Sequence, residues 1–463
     1  MPTGYDLVKY ICAEGLRADK IYLHTDNSVG RDNMYRTLLG AQRRGFIDDN
    51  IEILDYEIRI KSIKYKSSLK FIEVLKRHAE SIEKADRNFK DIVFGDKLIV
   101  SSKELEELYC KDYIKLHLKR RLDKIRERIL FLLKPYEKER INEIYEDLWD
   151  TGYFVDEREA KEKAITSTRE ETKHINAGIS RITAFDLIDI YKKLFEALDP
   201  EIKNYTLKML ETKFLNYEDQ VPLLYLKGVF GDLPKTTDIK YVIIDEAQDY
   251  TPIQYEIFYQ LFNHANITML GDLNQSINPF MNVGDYKNIA HIFHQDNTCI
   301  INLTKSYRST MEITEFSRKL LGYEVNAEYV ERSGDKPTVI GFSDENSINE
   351  RIIKDIEMYK EKGYKSIGII TRTIKEADRV YSLLKDRTEV KALTKDDDEY
   401  INGTLVIPAY LAKGLEFDVV LIYNAGDENY SSEEERLLFY TACTRALHRL
   451  NVYYAGRLTP LME

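Results

Sequence analysis

Cysteine is scarce in this sequence: Cys12, Cys110, Cys299 and Cys443 lie far apart, with no CxxC and no neighbouring histidines. That spacing excludes a zinc knuckle and a disulfide framework, and the four thiols read as reduced and mostly buried. Long hydrophobic runs are missing too. The first twenty residues have no basic head followed by an apolar core, and no later stretch approaches the roughly 18 uninterrupted apolar residues that a membrane helix needs. The expectation is a soluble cytoplasmic protein with no membrane partner. Positive charge is in deficit, with a formal net charge of -11, which argues against a histone-like wrapper of nucleic acid but leaves room for a local basic groove. Tryptophan occurs once, at Trp149, and reads as a core residue.

What is present is an ordinary globular composition, 43% hydrophobic over 463 residues, enough for two or three domains with their own cores. From about Ile21 the pattern is a strand (KIYLHT), a loop, a helix (MYRTLLGAQRRGF) and a strand (IEIL), a partial α/β segment that we place at residues 1–60. Residues 61–204 turn long-helical and highly charged. There Ser101 and Glu104 fit a capping box, and Leu118, Leu122, Ile125, Ile129 and Leu132 form one stripe that Pro135 is expected to stop. Short apolar runs then alternate with helical segments: YVIID, ITMLG, CIINL, PTVIGF, SIGIITRT, TLVIPA, VVLIYN and LNVYYA. Such runs are parallel strands buried on both faces, so the fold class is α/β, with a boundary between two sheets near residue 300.

The sharpest chemical signal is Tyr241-Val-Ile-Ile followed by Asp245-Glu246-Ala-Gln248-Asp249. A buried strand delivers adjacent acids to the crevice above its C-terminal end, where α/β sheets bind ligands. In a nucleotide hydrolase Asp245 would hold Mg²⁺, an ion that takes one or two carboxylates plus phosphate oxygens, and Glu246 would orient and deprotonate the attacking water. An acidic pair that merely caps a strand is the plainer reading of DE alone. The second strand ends in Gly271-Asp272-Leu-Asn-Gln275-Ser-Ile, where an amide can sense a terminal phosphate and report its loss. Arg308, in Ser-Tyr307-Arg308-Ser, and Arg445, in Tyr440-Thr-Ala-Cys-Thr-Arg445-Ala-Leu, are guanidiniums suited to charge spread over phosphoryl oxygens. Tyr307 adds a ring able to stack on a base. Lys413-Gly414-Leu-Glu416-Phe-Asp418 lies at another strand edge, where Gly414 allows close backbone approach.

In this order the five stretches, spanning about Tyr205 to Ala455, resemble the UvrD/Rep-like superfamily 1 helicases, in which two RecA-like domains clamp ATP. DEAQD looks like their Walker B motif, GDLNQSI like the phosphate-sensing motif, and SYRS like the motif of the base-stacking tyrosine and γ-phosphate arginine. AKGLEFD looks like the motif joining nucleotide and nucleic-acid contacts, and YTACTRALH like the one bearing the second phosphate arginine. The resemblance implies Asp245, Glu246, Arg308 and Arg445 as catalytic and Asp245 as metal-binding. It implies Gln275, Asp272, Gln248, Gly414, Glu416 and Tyr307 as nucleotide-binding, with ATP and Mg²⁺ as cofactors and single-stranded or duplex DNA as partner.

Within that superfamily the chain resembles the HelD-like proteins associated with bacterial RNA polymerase. It has Pro408 and Tyr410 where many relatives carry a Ser/Thr and a His, which puts the usual nucleic-acid contact there in question. It also has NYEDQVPLLYLKGVFG ahead of DEAQD, and only about a hundred residues between Arg308 and Lys413, too few for a large accessory insertion. The resemblance assigns 1–60 and 205–298 to the first RecA-like domain, 61–204 to a helical insertion and 299–463 to the second RecA-like domain. It makes RNA polymerase a candidate partner. From Lys111 to Lys134 nine Lys/Arg face three Asp/Glu, a helix that could lie on nucleic acid or simply present a solvated face.

Nowhere in the sequence is there GxxxxGK[ST], the loop whose amides, lysine and hydroxyl grip phosphates and Mg²⁺. HTDNSVGRDNMYRT has one glycine and no Lys-Ser/Thr and does not qualify. In the relatives that loop lies upstream of these elements, so the chain reads as N-terminally truncated, and by itself it is expected to hydrolyse ATP weakly or not at all. A non-catalytic polymerase- or nucleic-acid-binding protein on a helicase scaffold is the alternative. The incomplete first domain is expected to be marginally stable and the second to be the protease-resistant core.

Overall fold

The computed structural model describes residues 21–24, 53–152, 156–211, 216–231, 233, 239–276, 278, 282–293, 298–323, 328–329, 332–392 and 403–462. Strand β1, Ile21–His24, opens them. The loop and helix expected after it lie outside the described residues, as does Cys12.

One compact unit comprises residues 51–235 and 256–261. It is helical, with α1 (Ile53–Lys66), α2 (Leu69–Lys84), a small antiparallel ribbon of β2 (Ile92–Phe94) and β3 (Lys97–Val100), and the long α3 (Leu118–Asp150) and α4 (Glu157–Ile182) packed along each other. Of the strand expected at IEIL, Ile51 and Glu52 lie outside the described residues, while Ile53 and Leu54 begin α1, whose charged, helix-forming continuation outweighs the one β-branched residue at its start. Pro135 does not stop α3. It sits exposed inside the helix, which forgoes one amide hydrogen bond while Leu118, Leu122, Ile125, Ile129 and Leu133 stay buried on the opposite face. Ser101 Oγ does accept the Glu104 amide at 3.2 Å, as the cap predicts.

Trp149 is not core. It is 43% exposed near the end of α3 and stacks on Tyr145 at 6.3 Å, because the apolar stripe has ended by that turn. Most of the basic run is also neutralised: Lys111, Lys119, Arg120, Arg121, Lys124 and Arg128 each pair with an acid of this same unit. The remaining helices, α5 (Leu187–Leu194), α6 (Pro200–Leu210) and α7 (Tyr217–Val229), close the unit around Tyr191, Phe195, Leu226 and Phe230.

The other unit comprises residues 1–50, 236–255 and 262–463 and carries, besides a short parallel pairing of Lys305–Ser306 with Glu328–Tyr329, two parallel sheets. In the smaller, β4 (Tyr241–Ile244) lies between β1 and β5 (Asn266–Met269). Helix α8 (Pro252–Phe262) follows β4, with Pro at N1 and a Thr251/Gln254 capping box. Helix α9, Met311–Lys319, leads into the larger sheet. That sheet is built from β6 (Thr338–Phe342), α10 (Glu345–Glu361), β7 (Ser366–Thr371), α11 (Ile374–Leu384), β8 (Lys391–Ala392), β9 (Gly403–Pro408), β10 (Phe417–Ile422), α12 (Arg436–Cys443) and β11 (Ala446–Ala455). Its order is β8-β9-β7-β10-β11-β6, parallel throughout.

Every residue of β7 is buried, because helices cover both faces. Successive residues of β10 alternate between them: Val419 and Leu421 pack with Ile352, Ile356 and Val380 of α10 and α11, while Val420 and Ile422 pack with Ile313, Phe439 and Ala442 of α9 and α12. The fold is α/β of the kind seen in RecA-like helicase domains, with a large helical region. One expected strand fails. CIINL is extended but unpaired, with Ile301 76% and Leu303 74% exposed; an apolar run forms a strand only where a neighbouring edge is there to receive it. Cys299 in that run and Cys110 are exposed rather than buried, and only Cys443 of the described cysteines is in the core. No described helix is long and apolar enough to cross a membrane.

Candidate active site

Strand β4 ends at Ile244 and the chain turns sharply. Glu246 adopts a left-handed conformation, φ 52° and ψ 40°, and Ala247–Asp249 form a single 3₁₀ turn. A non-glycine residue held there carries a conformational cost that surrounding contacts must offset. Those contacts are present. Gln248, fully buried, donates from Nε2 to Glu246 Oε2 at 2.8 Å, and its Oε1 accepts the Asp272 amide at 3.1 Å. The Ala247 amide bonds the Leu270 carbonyl at 2.8 Å, tying the turn to the end of β5. Gly271 is required at that junction, since a Cβ would lie 2.4 Å from Gln248 Oε1 and 3.0 Å from the Ala247 nitrogen.

The motif after β5 faces the same place. Asp272 accepts the Asn274 amide at 3.0 Å and Gln275 Nε2 at 2.9 Å, fixing the side chain of Gln275. Gln275 Oε1 then accepts a hydrogen bond from Arg445 Nη2 at 2.5 Å. Arg445 follows α12 and is 1% exposed; its remaining hydrogen bonds go to the Thr441 carbonyl and the Thr444 hydroxyl. Among the described residues its acceptors are thus neutral oxygens. Burial, and then the neighbouring positive charge of Arg308, pull its pKa down to about 10. Arg308 itself pairs with Glu416 at 2.6 Å.

Lys413 completes the cluster. It is 4% exposed, and its ammonium bonds Asp249 Oδ2, the Gln275 carbonyl at 3.0 Å and Glu246 Oε2 at 3.2 Å. Burial by itself raises the Glu246 carboxyl, but Lys413, the Gln248 amide and Arg445 together hold it below its usual value. Asp245 moves the other way. Burial raises it, partly opposed by the Glu246 amide that it accepts at 2.9 Å and by the charges of Lys413 and Arg308.

The residues named by the sequence motifs therefore fall into three groups. Asp245, Glu246, Gln275, Arg308, Glu416 and Arg445 meet in one cluster of alternating charge. Gln248 and Asp272 stand behind it as supports for Glu246 and Gln275. Tyr307 is 58% exposed, with Lys305 Nζ 5.9 Å from its ring centre. Gly414 serves a different purpose from close approach: a Cβ there would meet nothing within 4 Å, and it is the φ of +79° that calls for glycine. Lys413 is the residue that motif reading passed over, although it stands beside Gly414 in the same stretch.

This arrangement fits a polyphosphate. Two guanidiniums crowd each other, one of them buried on neutral acceptors, and an anion is what would relieve them. No group of three or more His, Cys, Asp or Glu poised for a metal occurs among the described residues; the single carboxylate of Asp245 would suit an Mg²⁺ held mainly through substrate oxygens.

Comparison with known proteins finds similarity to helicases. Residues 70–295 match the UvrD/REP helicase N-terminal domain and residues 404–453 the UvrD-like helicase C-terminal domain. Residues 1–40 match a cyclic-phosphate processing receiver domain. The chain is 24% identical over 264 residues to a probable DNA helicase of Mycoplasma pneumoniae, 49% of this chain and 48% of that protein. It is 27% identical over 193 residues to the ATP-dependent DNA helicase Rep of Buchnera aphidicola, 37% of this chain and 28% of that protein. A crystal structure of the C-terminal domain of a possible DNA helicase from Lactobacillus plantarum WCFS1 is 35% identical, covering 34% of this chain and 92% of that one, with a TM-score of 0.30. The chain spans about half the length, or less, of the curated relatives it matches.

Proposed function

We propose that this chain, which belongs with the UvrD-like superfamily 1 helicases, is the nucleotide-responsive part of an ATP-dependent DNA helicase or translocase of the HelD-like group, acting with bacterial RNA polymerase in the cytoplasm. The observation that carries the reading is the bond from Arg445 to Gln275, which joins the larger sheet to the phosphate-sensing turn after β5. When bound, ATP with Mg²⁺ supplies a phosphoanhydride whose cleavage releases the energy for movement. Arg308 and Arg445 would hold its negative charge, Asp245 the metal, and Tyr307 would offer a face for the base. Glu246 would take a proton from water, and Gln275, bonded to Arg445 on one side and Asp272 on the other, would pass a change at the phosphates to α12.

The same cluster supports reading the chain alone as a weak catalyst. The 463 residues contain no GxxxxGK[ST], and Lys413 already bonds the carboxylate that must accept the proton. That contact also favours the second reading, a non-catalytic scaffold that binds polymerase or nucleic acid. Steady-state phosphate release with single-stranded DNA tests the weak-catalyst reading: we expect no turnover above background. Turnover that disappears in Glu246→Gln would overturn the weak-catalyst reading. Retention of the purified chain on immobilised bacterial RNA polymerase, compared with immobilised DNA, tests the partner; failure on polymerase would remove the HelD-like assignment and leave the UvrD-like one.

A further inference from the structure

The arginine at position 308 depends on more than Glu416. Its backbone carbonyl accepts a hydrogen bond from Arg332 Nη1 at 2.8 Å. The other arm of that guanidinium, Nη2, lies 3.0 Å from Nδ1 and 3.2 Å from Nε2 of His448, on β11. The segment around Arg332 is laced to the same loop elsewhere: the Met311 amide bonds the Arg332 carbonyl at 2.9 Å, and Glu312 accepts from Ser333 Oγ at 2.9 Å and the Gly334 amide at 2.8 Å. Gly334 passes so close that a Cβ would lie 2.5 Å from Thr310 Cγ2. At its other side the loop is fastened by Ser309 Oγ, which donates to the Ala446 carbonyl at 2.6 Å, next to Arg445.

We infer that Arg332, held by His448, is the positioning residue for Arg308, fixing the backbone from which that guanidinium reaches toward the cluster. The inference deepens the nucleotide reading above and rests on it for what Arg308 acts upon. The physical logic is one of direction. A guanidinium can bridge two acceptors in a fixed fork, and here one prong takes a main-chain carbonyl and the other an imidazole nitrogen. That nitrogen must be the unprotonated one, because a protonated imidazole offers no acceptor. The surroundings keep it so: burial, and after it the charge of Arg332, hold the His448 imidazole below its usual value. Asp418 at 3.9 Å opposes them, Arg449 on the same strand adds to them, and Tyr364 flanks the ring at 6.1 Å.

The test uses the full chain without nucleotide, labelled with ¹⁵N-arginine. The Nε–H resonances of Arg308 and Arg445 are identified by their loss in Arg308→Lys and Arg445→Lys. In the wild type the Arg308 signal should be protected from solvent by its Glu416 pair. In Arg332→Met and in His448→Phe its exchange should rise about tenfold, the worth of one hydrogen bond to a charged group, while the Arg445 signal stays in place. His448→Asn, which keeps an acceptor oxygen, should restore protection. An Arg308 signal unchanged in both Arg332→Met and His448→Phe overturns the inference, and so does equal loss in His448→Asn. Should Arg332→Met unfold, His448→Phe against His448→Asn decides alone. Adding Mg²⁺ with tripolyphosphate to the wild type separates the two claims: if neither arginine signal responds, the nucleotide reading fails, whereas the positioning result is read without it.

Discussion

Replacing Lys413 with methionine keeps most of the side-chain volume and removes the charge. Its ammonium is 4% exposed and faces Asp249, whose side chain is 9% exposed, and Glu246, at 31%. Taking one partner out of a buried ion pair leaves an uncompensated carboxylate, at about 3–5 kcal/mol in well-buried cases. Asp249 is the more buried of the two carboxylates that lose this partner, and the more accessible Glu246 adds little. A loss near the lower end, about 3 kcal/mol, corresponds to a melting shift of about 6–12 °C for a unit of this size. Thermal unfolding followed by circular dichroism should show that drop in Lys413→Met, and the double variant Lys413→Met/Asp249→Asn should recover most of it. The pH dependence has a defined sign. Glu246 is held below its ordinary value of 4.5, so its share of the stability is complete above that value and is lost as pH falls through the lowered one. The gap between wild type and Lys413→Met should therefore narrow in acid. A variant as stable as the wild type at neutral pH, or a double variant no better than the single one, would refute the reasoning.

Arg445→Met should lower the melting temperature, because Gln275 Oε1 and the Thr441 carbonyl lose their donor, at about 1–3 kcal/mol for buried acceptors left unmade; an unchanged or raised melting temperature in calorimetry would contradict this. Gly414→Ala should cost about 1–2 kcal/mol through its φ of +79° alone, read as a shift of the urea midpoint with an unchanged slope. Cys110 and Cys299 should react with a thiol reagent in the native protein, and Cys443, buried with its thiol pushed up by burial, only on unfolding; mass spectrometry of the labelled peptides distinguishes them. Limited proteolysis should leave residues 299–463 as the last large fragment, and their digestion ahead of the helical unit would count against the assigned boundary.

How far the sequence could be read depended on whether the signal was local. YVII, SIGIIT, TLVIP and DVVLI are short runs of β-branched and aliphatic residues with no charged interruption beyond Asp418, and all became buried parallel strands. CIINL has the same composition and did not, because pairing needs an edge that composition does not supply. The exposed Trp149 and the continuous helix through Pro135 are of the same kind: residue type sets a preference, and the packing face available at that turn decides the outcome. For the candidate site, the motifs named residues that the fold brings together. They did not reveal that Gln248 and Asp272 act as supports, or that Lys413 bonds Glu246.

Sequence by itself determined the α/β class, the acids at the end of β4, the two arginines and the absence of a phosphate-gripping loop, since each is written in contiguous residues whose chemistry or periodicity does not depend on distant partners. Tertiary structure decided which groups share charge. Arg445 and Gln275 are 170 positions apart, Lys413 and Asp249 164, and Arg332 and His448 116. Contacts at such separation arise only when the sheets pack, and an ammonium or guanidinium acquires its role from the oxygens that packing places around it.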